Sequence, residues 1–179
     1  MTPDDLEKGM ILAPAATLAR FGRPGLLATL AQMQFPLPPG LPDVVTVWRG
    51  TAGVPFWVAL QGLSWTLDRG VACKYALIRS REFSGPPLVV RAEIPASSIV
   101  FYSNAWRERE VIFDGPARKA APDDAHDTWE ASACAWMTQS ARELLQAISD
   151  GSLTPVQRFC LHARLGEMGF GEEVRAALA

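Results

Sequence analysis

Val44-Val45-Thr46-Val47-Trp48-Arg49-Gly50 is a run of β-branched and aromatic residues that closes on an arginine and a glycine. Such side chains suit a pleated, half-buried strand, and four more runs of the same kind follow: Leu63 to Leu67, Leu88 to Ile94, Ile99 to Tyr102 and Glu110 to Phe113, bounded by Gly, Pro, Ser and Asn. Residues 44–114 therefore read as a β-rich core. One helix is expected inside it, with Asp68 as N-cap and Val71, Tyr75, Ala76 and Ile78 at helical spacing.

Working outward, residues 35–42 (Phe35-Pro36-Leu37-Pro38-Pro39-Gly40-Leu41-Pro42) hold four prolines in eight positions, which neither a helix nor a central strand accepts. They read as a stiff connector closing an N-terminal segment, 1–43, in which Leu18, Phe21, Leu26, Leu27, Leu30 and Met33 fall near helical spacing around an interrupting Pro24. On the other side, Gly115 to Asp124 reads as a linker into a helical extension, 115–179. There Asp127 and Glu130 stand as an N-cap and its N3 partner, and Trp129, Ala133, Trp136, Met137, Ser140, Leu144 and Ile148 trace one helix face. Thr154-Pro155-Val156-Gln157 has the composition of a second helix start.

The 179 residues, 49% of them hydrophobic, suffice for one domain with an apolar core. A net charge of −2 without a basic run lacks the footprint expected for duplex nucleic acid. Cys73, Cys134 and Cys160 are odd in number and form no CxxC pair, so they are expected to be buried thiols rather than disulfides or zinc ligands. His126 and His162 lack metal-ligand spacing, and neither a nucleophile elbow nor a Walker or Rossmann loop occurs; no metal is expected. The acidic start, Met1 to Lys8, and the absence of an apolar run of about 18 residues lead to the expectation of a cytoplasmic chain without a membrane span. A protein exported by a dedicated machine or carried in with phage DNA would look the same.

Three stretches carry candidate chemistry. Arg49 offers a planar fork for phosphate, and Gly50 admits a ligand close to the backbone. Gly62-Leu63-Ser64-Trp65-Thr66 offers two hydroxyls two residues apart, on one face of a strand, either of which could also cap the following helix. Arg107-Glu108-Arg109-Glu110-Val111-Ile112-Phe113 offers two carboxylates that share a face if the strand extends back to Glu108. The plain alternatives are a solvated strand-edge Glu110 and a salt-bridged surface stretch for 107–110.

In order and spacing, these stretches resemble the Arg-Ser-Glu class of mono-ADP-ribosyltransferases, with Trp65 and Thr66 departing from a Ser-Thr-Ser pattern. The resemblance covers about residues 44–114. It implies an α+β fold with a split, mostly antiparallel β core, and transfer of ADP-ribose from NAD, bound as substrate, to a macromolecule. Arg49 and Gly50, with Thr66 and Tyr75, would then hold NAD. Ser64 would position the ribose and Glu110, Glu110 would stabilise the oxocarbenium-like ribose, and Glu108 would activate the acceptor, a Glu there going with arginine side chains. Trp106 and Arg107, in the loop before the Glu pair, would recognise the acceptor, a protein sooner than a nucleic acid, although Trp106 could equally fold into the core. A bacterial or phage effector or toxin would fit such an activity. The rivals are an NAD glycohydrolase, with water as acceptor, and a non-catalytic binding module on the same fold. The tryptophan-bearing helix could also dock a neutralising protein.

Overall fold

The computed structural model describes residues 2–158 and 161. Helices α1 (Pro3–Leu12) and α2 (Pro14–Met33) lead into β1 (Val44–Ala52), a short α3 (Phe56–Ala59), β2 (Trp65–Thr66), α4 (Arg69–Phe83) and β3 (Pro87–Pro95); β4 (Ile99–Ser103), β5 (Glu110–Phe113), β6 (Arg118–Pro122) and α5 (Trp129–Ser149) complete the order. The chain is thus a mixture of helices with an antiparallel sheet, an α+β arrangement.

The strands lie in the order β4-β5-β2-β1-β3-β6, and every neighbouring pair is antiparallel. A single ladder links all six into one sheet, narrowest at the two-residue β2. Alternation along the strands sorts the core. Val45, Val47, Trp65, Val90, Ala92, Ile94 and Val111 build one apolar cluster, capped by Phe56 and Leu60 around α3. The opposite face is covered twice: Phe101 and Ile112 pack with Leu6, Met10, Leu26 and Leu30 from α1 and α2, while Val89 and Trp48 pack with Ala72, Cys73, Ala76, Trp129 and Ala133 from α4 and α5. A register shift between Ile99 and Phe101 lets these two residues of β4 serve different clusters.

Several expectations are corrected. β1 runs on past the 44–50 stretch, because its pairing with β3 continues to Ala52 opposite Pro87. The linker 115–124 contains β6, so the extension is not all helical. Within α2 the break falls at Gly22 (φ 63°), and Pro24 opens the second half, where its missing N–H costs nothing. Asp127 lies in a 3-10 turn and caps nothing; Thr128 precedes α5 without a side-chain cap, its hydroxyl being taken by Arg69. Cys134 is exposed, whereas Cys73 is buried and its thiol is pushed up to about 11, chiefly by burial; Cys160 and His162 lie outside the described residues. The α5 face is as expected except at Met137, which is exposed. Asp68 accepts from Gly70 N at 2.7 Å, as an N-cap should. Thr154 and Gln157 exchange reciprocal capping bonds of 3.0 and 3.2 Å.

Arg69 fastens the α4–α5 side to the sheet. Its guanidinium donates to Asp123 at 2.6 Å, Ser132 Oγ at 2.7 Å and Thr128 Oγ1 at 2.8 Å. Burial acts to raise Asp123, but the bonds from Arg69 and from Ala125 N, with the Arg69 charge, together outweigh it and hold the carboxyl below its ordinary value. Arg69→Ala removes the cation from this carboxylate and a donor from two hydroxyls, an expected loss of about 2–3 kcal/mol, read as a fall in thermal midpoint of roughly 5–10 °C. A melt unchanged within a degree would contradict this role.

Candidate active site

At the neck of the sheet, Trp48 stands opposite Thr66, Thr66 opposite Glu110, and Glu110 opposite Ser103. Directly opposed residues share a face, so this row lies where the α1–α2 cover and the α4–α5 cover meet. The seam leaves Glu110 partly buried among polar groups. Ser64 Oγ donates to Glu110 Oε1, and Arg49 Nη1 donates to the Ser64 carbonyl. Three residues that stand 15 and 46 positions apart in the chain thus form one hydrogen-bonded series. Trp65 anchors it: its indole is buried in the core on the other face and donates to the Gly62 carbonyl at 3.0 Å.

Gly62 makes room for Arg49 here. A Cβ at this position would overlap the Arg49 guanidinium, which lies directly on the glycine. Arg49 Nε is buried and has no hydrogen-bond partner in the structure, and the adjoining Gln61 carbonyl accepts from Arg23. The segment between β1 and β2 therefore packs on Arg49, which is left partly buried. Trp57, on the outer side of the same segment, is 65% exposed.

The electrostatics are lopsided. Burial, then the guanidiniums of Arg79 and Arg23, pull Arg49 below its ordinary value against the attraction of Glu110. Arg79 and Arg23 thus act on Arg49 with Glu110 as its counter-charge, a field around Arg49 that favours an anion. Burial pushes Glu110 up to about 7, with Glu108 and Glu7 adding to the rise and Ser64 and Arg49 opposing it. Folding consequently favours the protonated Glu110. That stability is fully present below the unfolded value of 4.5 and is lost as pH rises through about 7. Glu110→Gln keeps an acceptor for Ser64 and removes the charge, so it is expected to match the parent near pH 4.5 and to exceed it at pH 8 by up to about 3 kcal/mol. Paired melts at both pH values check this; equal melts at pH 8 would contradict it.

The structure separates Glu108 from Glu110. The strand begins only at Glu110, and Glu108 sits in a turn whose flanking residues, Arg107 (φ 62°) and Arg109 (φ 47°), both adopt left-handed backbone. Alternation therefore does not govern the pair, as it would have in a longer strand. Glu108 Oε1 instead accepts from Tyr75 OH at 2.7 Å and Lys74 Nζ at 3.0 Å. Thr66 Oγ1 donates to the Glu108 carbonyl at 2.5 Å and accepts from Asp68 N at 3.0 Å. In this state Thr66 and Tyr75 are thus occupied in holding the turn.

Gly50 also has a packing reason. A Cβ there would overlap the Ala72 carbonyl oxygen and come within 2.8 Å of Ala76 N, so its bare backbone lets α4 lie against β1. Trp106 folds back on the cluster of Ala105 and Val156, as Ile11 does, and is partly buried. Arg107 faces Glu143 of α5 at 3.7 Å. A polar cavity of about 160 Å3 opens beside the turn, lined by Asp68, Asn104, Arg107, Arg109, Trp136 and Glu143 among others.

Sequence reasoning missed Lys74, Trp136, Arg23 and Arg79. Lys74 adjoins Tyr75, but nothing in its spacing signals a carboxylate partner 34 positions away. Among the described residues no group of three or more His, Cys, Asp or Glu could hold a metal, and no helix is long and apolar enough to cross a membrane. His126 stacks on Trp129 at 4.3 Å. No family model, curated protein or solved structure matches the chain.

Proposed function

We propose that the chain is an NAD-consuming mono-ADP-ribosyltransferase, built on a core of the ADP-ribosyltransferase type and acting on a macromolecular acceptor, a protein before a nucleic acid. The observation that carries this reading is the hydrogen-bonded series Arg49, Ser64, Glu110. An arginine, a hydroxyl and a carboxylate from three distant stretches converge, each of the type that cleavage of a nicotinamide riboside requires.

In this reading Arg49, helped by Arg23 and Arg79, receives the pyrophosphate of NAD. Ser64 holds Glu110 towards the ribose. As the bond from ribose C1′ to the nicotinamide nitrogen breaks, nicotinamide leaves with the electron pair and positive charge develops on the ribose. The Glu110 carboxylate stabilises that charge in a site from which water is largely excluded. The acceptor then attacks C1′ and gives up a proton, with Glu108 as the base on that side. The two-residue β2 that joins the two halves of the sheet supports a core of this type.

Adenylate-labelled NAD incubated with the protein and cell lysate tests the assignment. Label in a macromolecule is the expected result. Free ADP-ribose alone would indicate a glycohydrolase, and a folded protein that neither binds nor cleaves NAD would indicate a binding module.

A further inference from the structure

Lys74 stands between two aromatic rings, its Nζ 4.4 Å from the Tyr75 ring centroid and 4.7 Å from that of Trp136. The same ammonium lies 3.0 Å from Glu108 Oε1, with the lysine and glutamate side chains only 19% and 17% exposed. Two ring faces and a carboxylate together form a receptor for a cation: the rings contribute their negative quadrupoles and the carboxylate a full charge, both strengthened where water is scarce. Here the protein supplies that cation from its own helix.

The turn cannot easily carry Glu108 away from it. Thr66 holds the Glu108 carbonyl at 2.5 Å, Trp136 Nε1 donates to the Arg107 carbonyl at 3.1 Å, and Leu67 N donates to the Arg109 carbonyl at 3.1 Å. A guanidinium seeking Glu108 must therefore displace the ammonium or sit beside a like charge.

We propose that Lys74 is a specificity-determining residue of the transfer site: it fills the cation slot on Glu108, excludes arginine side chains, and leaves uncharged hydroxyls as acceptors. This rests on reading Glu108 as the carboxylate on the acceptor side. A hydroxyl can donate to Glu108 while the ammonium stays in place. As its oxygen bonds to ribose C1′, its proton passes to Glu108 and nicotinamide departs with the pair from the broken bond. The assignment runs against the arginine acceptor that the resemblance implied.

The test is calorimetric titration of the full chain with agmatine, a small guanidinium, in the parent, Lys74→Met and Lys74→Met/Glu108→Gln. Emptying the slot is expected to tighten agmatine binding at least about tenfold over the parent, and the added Glu108→Gln to abolish the gain. A melt verifies each fold, and Lys74→Gln stands in should Lys74→Met not fold. A folded Lys74 variant with no gain overturns the proposal. So does agmatine binding by the parent that Glu108→Gln removes, a result that needs no Lys74 variant. Agmatine binding does not require NAD cleavage, so failure here and failure of the NAD reading remain distinguishable.

Discussion

Glu110→Gln is expected to lower NAD turnover by about a thousandfold or more while leaving NAD affinity within a few fold. The asymmetry follows from what the side chain does. In the proposed reading the ground state of NAD would be held by cationic groups around Arg49, whereas the charge that Glu110 would answer exists only as the glycosidic bond breaks, and an interaction made only in the transition state appears in turnover and not in binding. The variant should also fold well: Gln accepts from Ser64 as Glu does, and removing a carboxylate that burial pushes up to about 7 relieves the fold at neutral pH and above. Loss of activity could then not be attributed to unfolding. Nicotinamide release measured beside equilibrium binding of NAD separates the two quantities, and unchanged release would remove Glu110 from the chemistry.

The second large effect is on stability. Gly50→Ala should cost about 3 kcal/mol or more, a large share of an ordinary domain's stability. The added methyl would overlap the Ala72 carbonyl oxygen and lie 2.7 Å from Ala72 C and 2.8 Å from Ala76 N. All three are main-chain atoms of α4, so no side chain can turn aside and the helix itself must retreat from β1. That retreat would carry Lys74 and Tyr75 off Glu108 and uncover Val89 and Cys73 in the cluster beneath. Gly25→Ala is the control, because the one atom near its added Cβ is Phe21 Cβ, a turn earlier at 4.0 Å, and helix propensity favours the change. Urea titration of both should give a much lower midpoint for Gly50→Ala and an equal or higher one for Gly25→Ala; similar midpoints would contradict the packing account.

Much of this arrangement was legible in the sequence. The β-branched run at 44–48, the N-cap at Asp68 and the capping pair Thr154 and Gln157 are local signals, and local signals survive folding where the side chains concerned have no stronger partner. Asp127 and Glu130 had the same local pattern and failed, because the neighbouring Thr128 was bound by Arg69, a residue from another element. Strand β6 was missed because an edge strand reading Arg118-Lys119-Ala120-Ala121-Pro122 carries the charge and proline that protect edges, and these look like a linker. The meeting of Arg49, Ser64 and Glu110 was legible as a pattern of three types in order. The position of Glu108 was not, since it depends on two non-glycine residues in left-handed backbone, which no alternation rule anticipates. The seating of Lys74 between Tyr75 and Trp136 depends on how α5 crosses α4. There Gly70 lets the helices approach: its added Cβ would stand 2.6 Å from Trp136 Cβ.

The most direct measurement of the central claim is incubation of the parent chain and its Glu110→Gln variant with adenylate-labelled NAD and lysate, following both label and released nicotinamide. The account predicts label in a macromolecule and nicotinamide release by the parent, and neither above background in the folded, NAD-binding variant. NAD left intact by the parent, or cleaved equally by both, would contradict it.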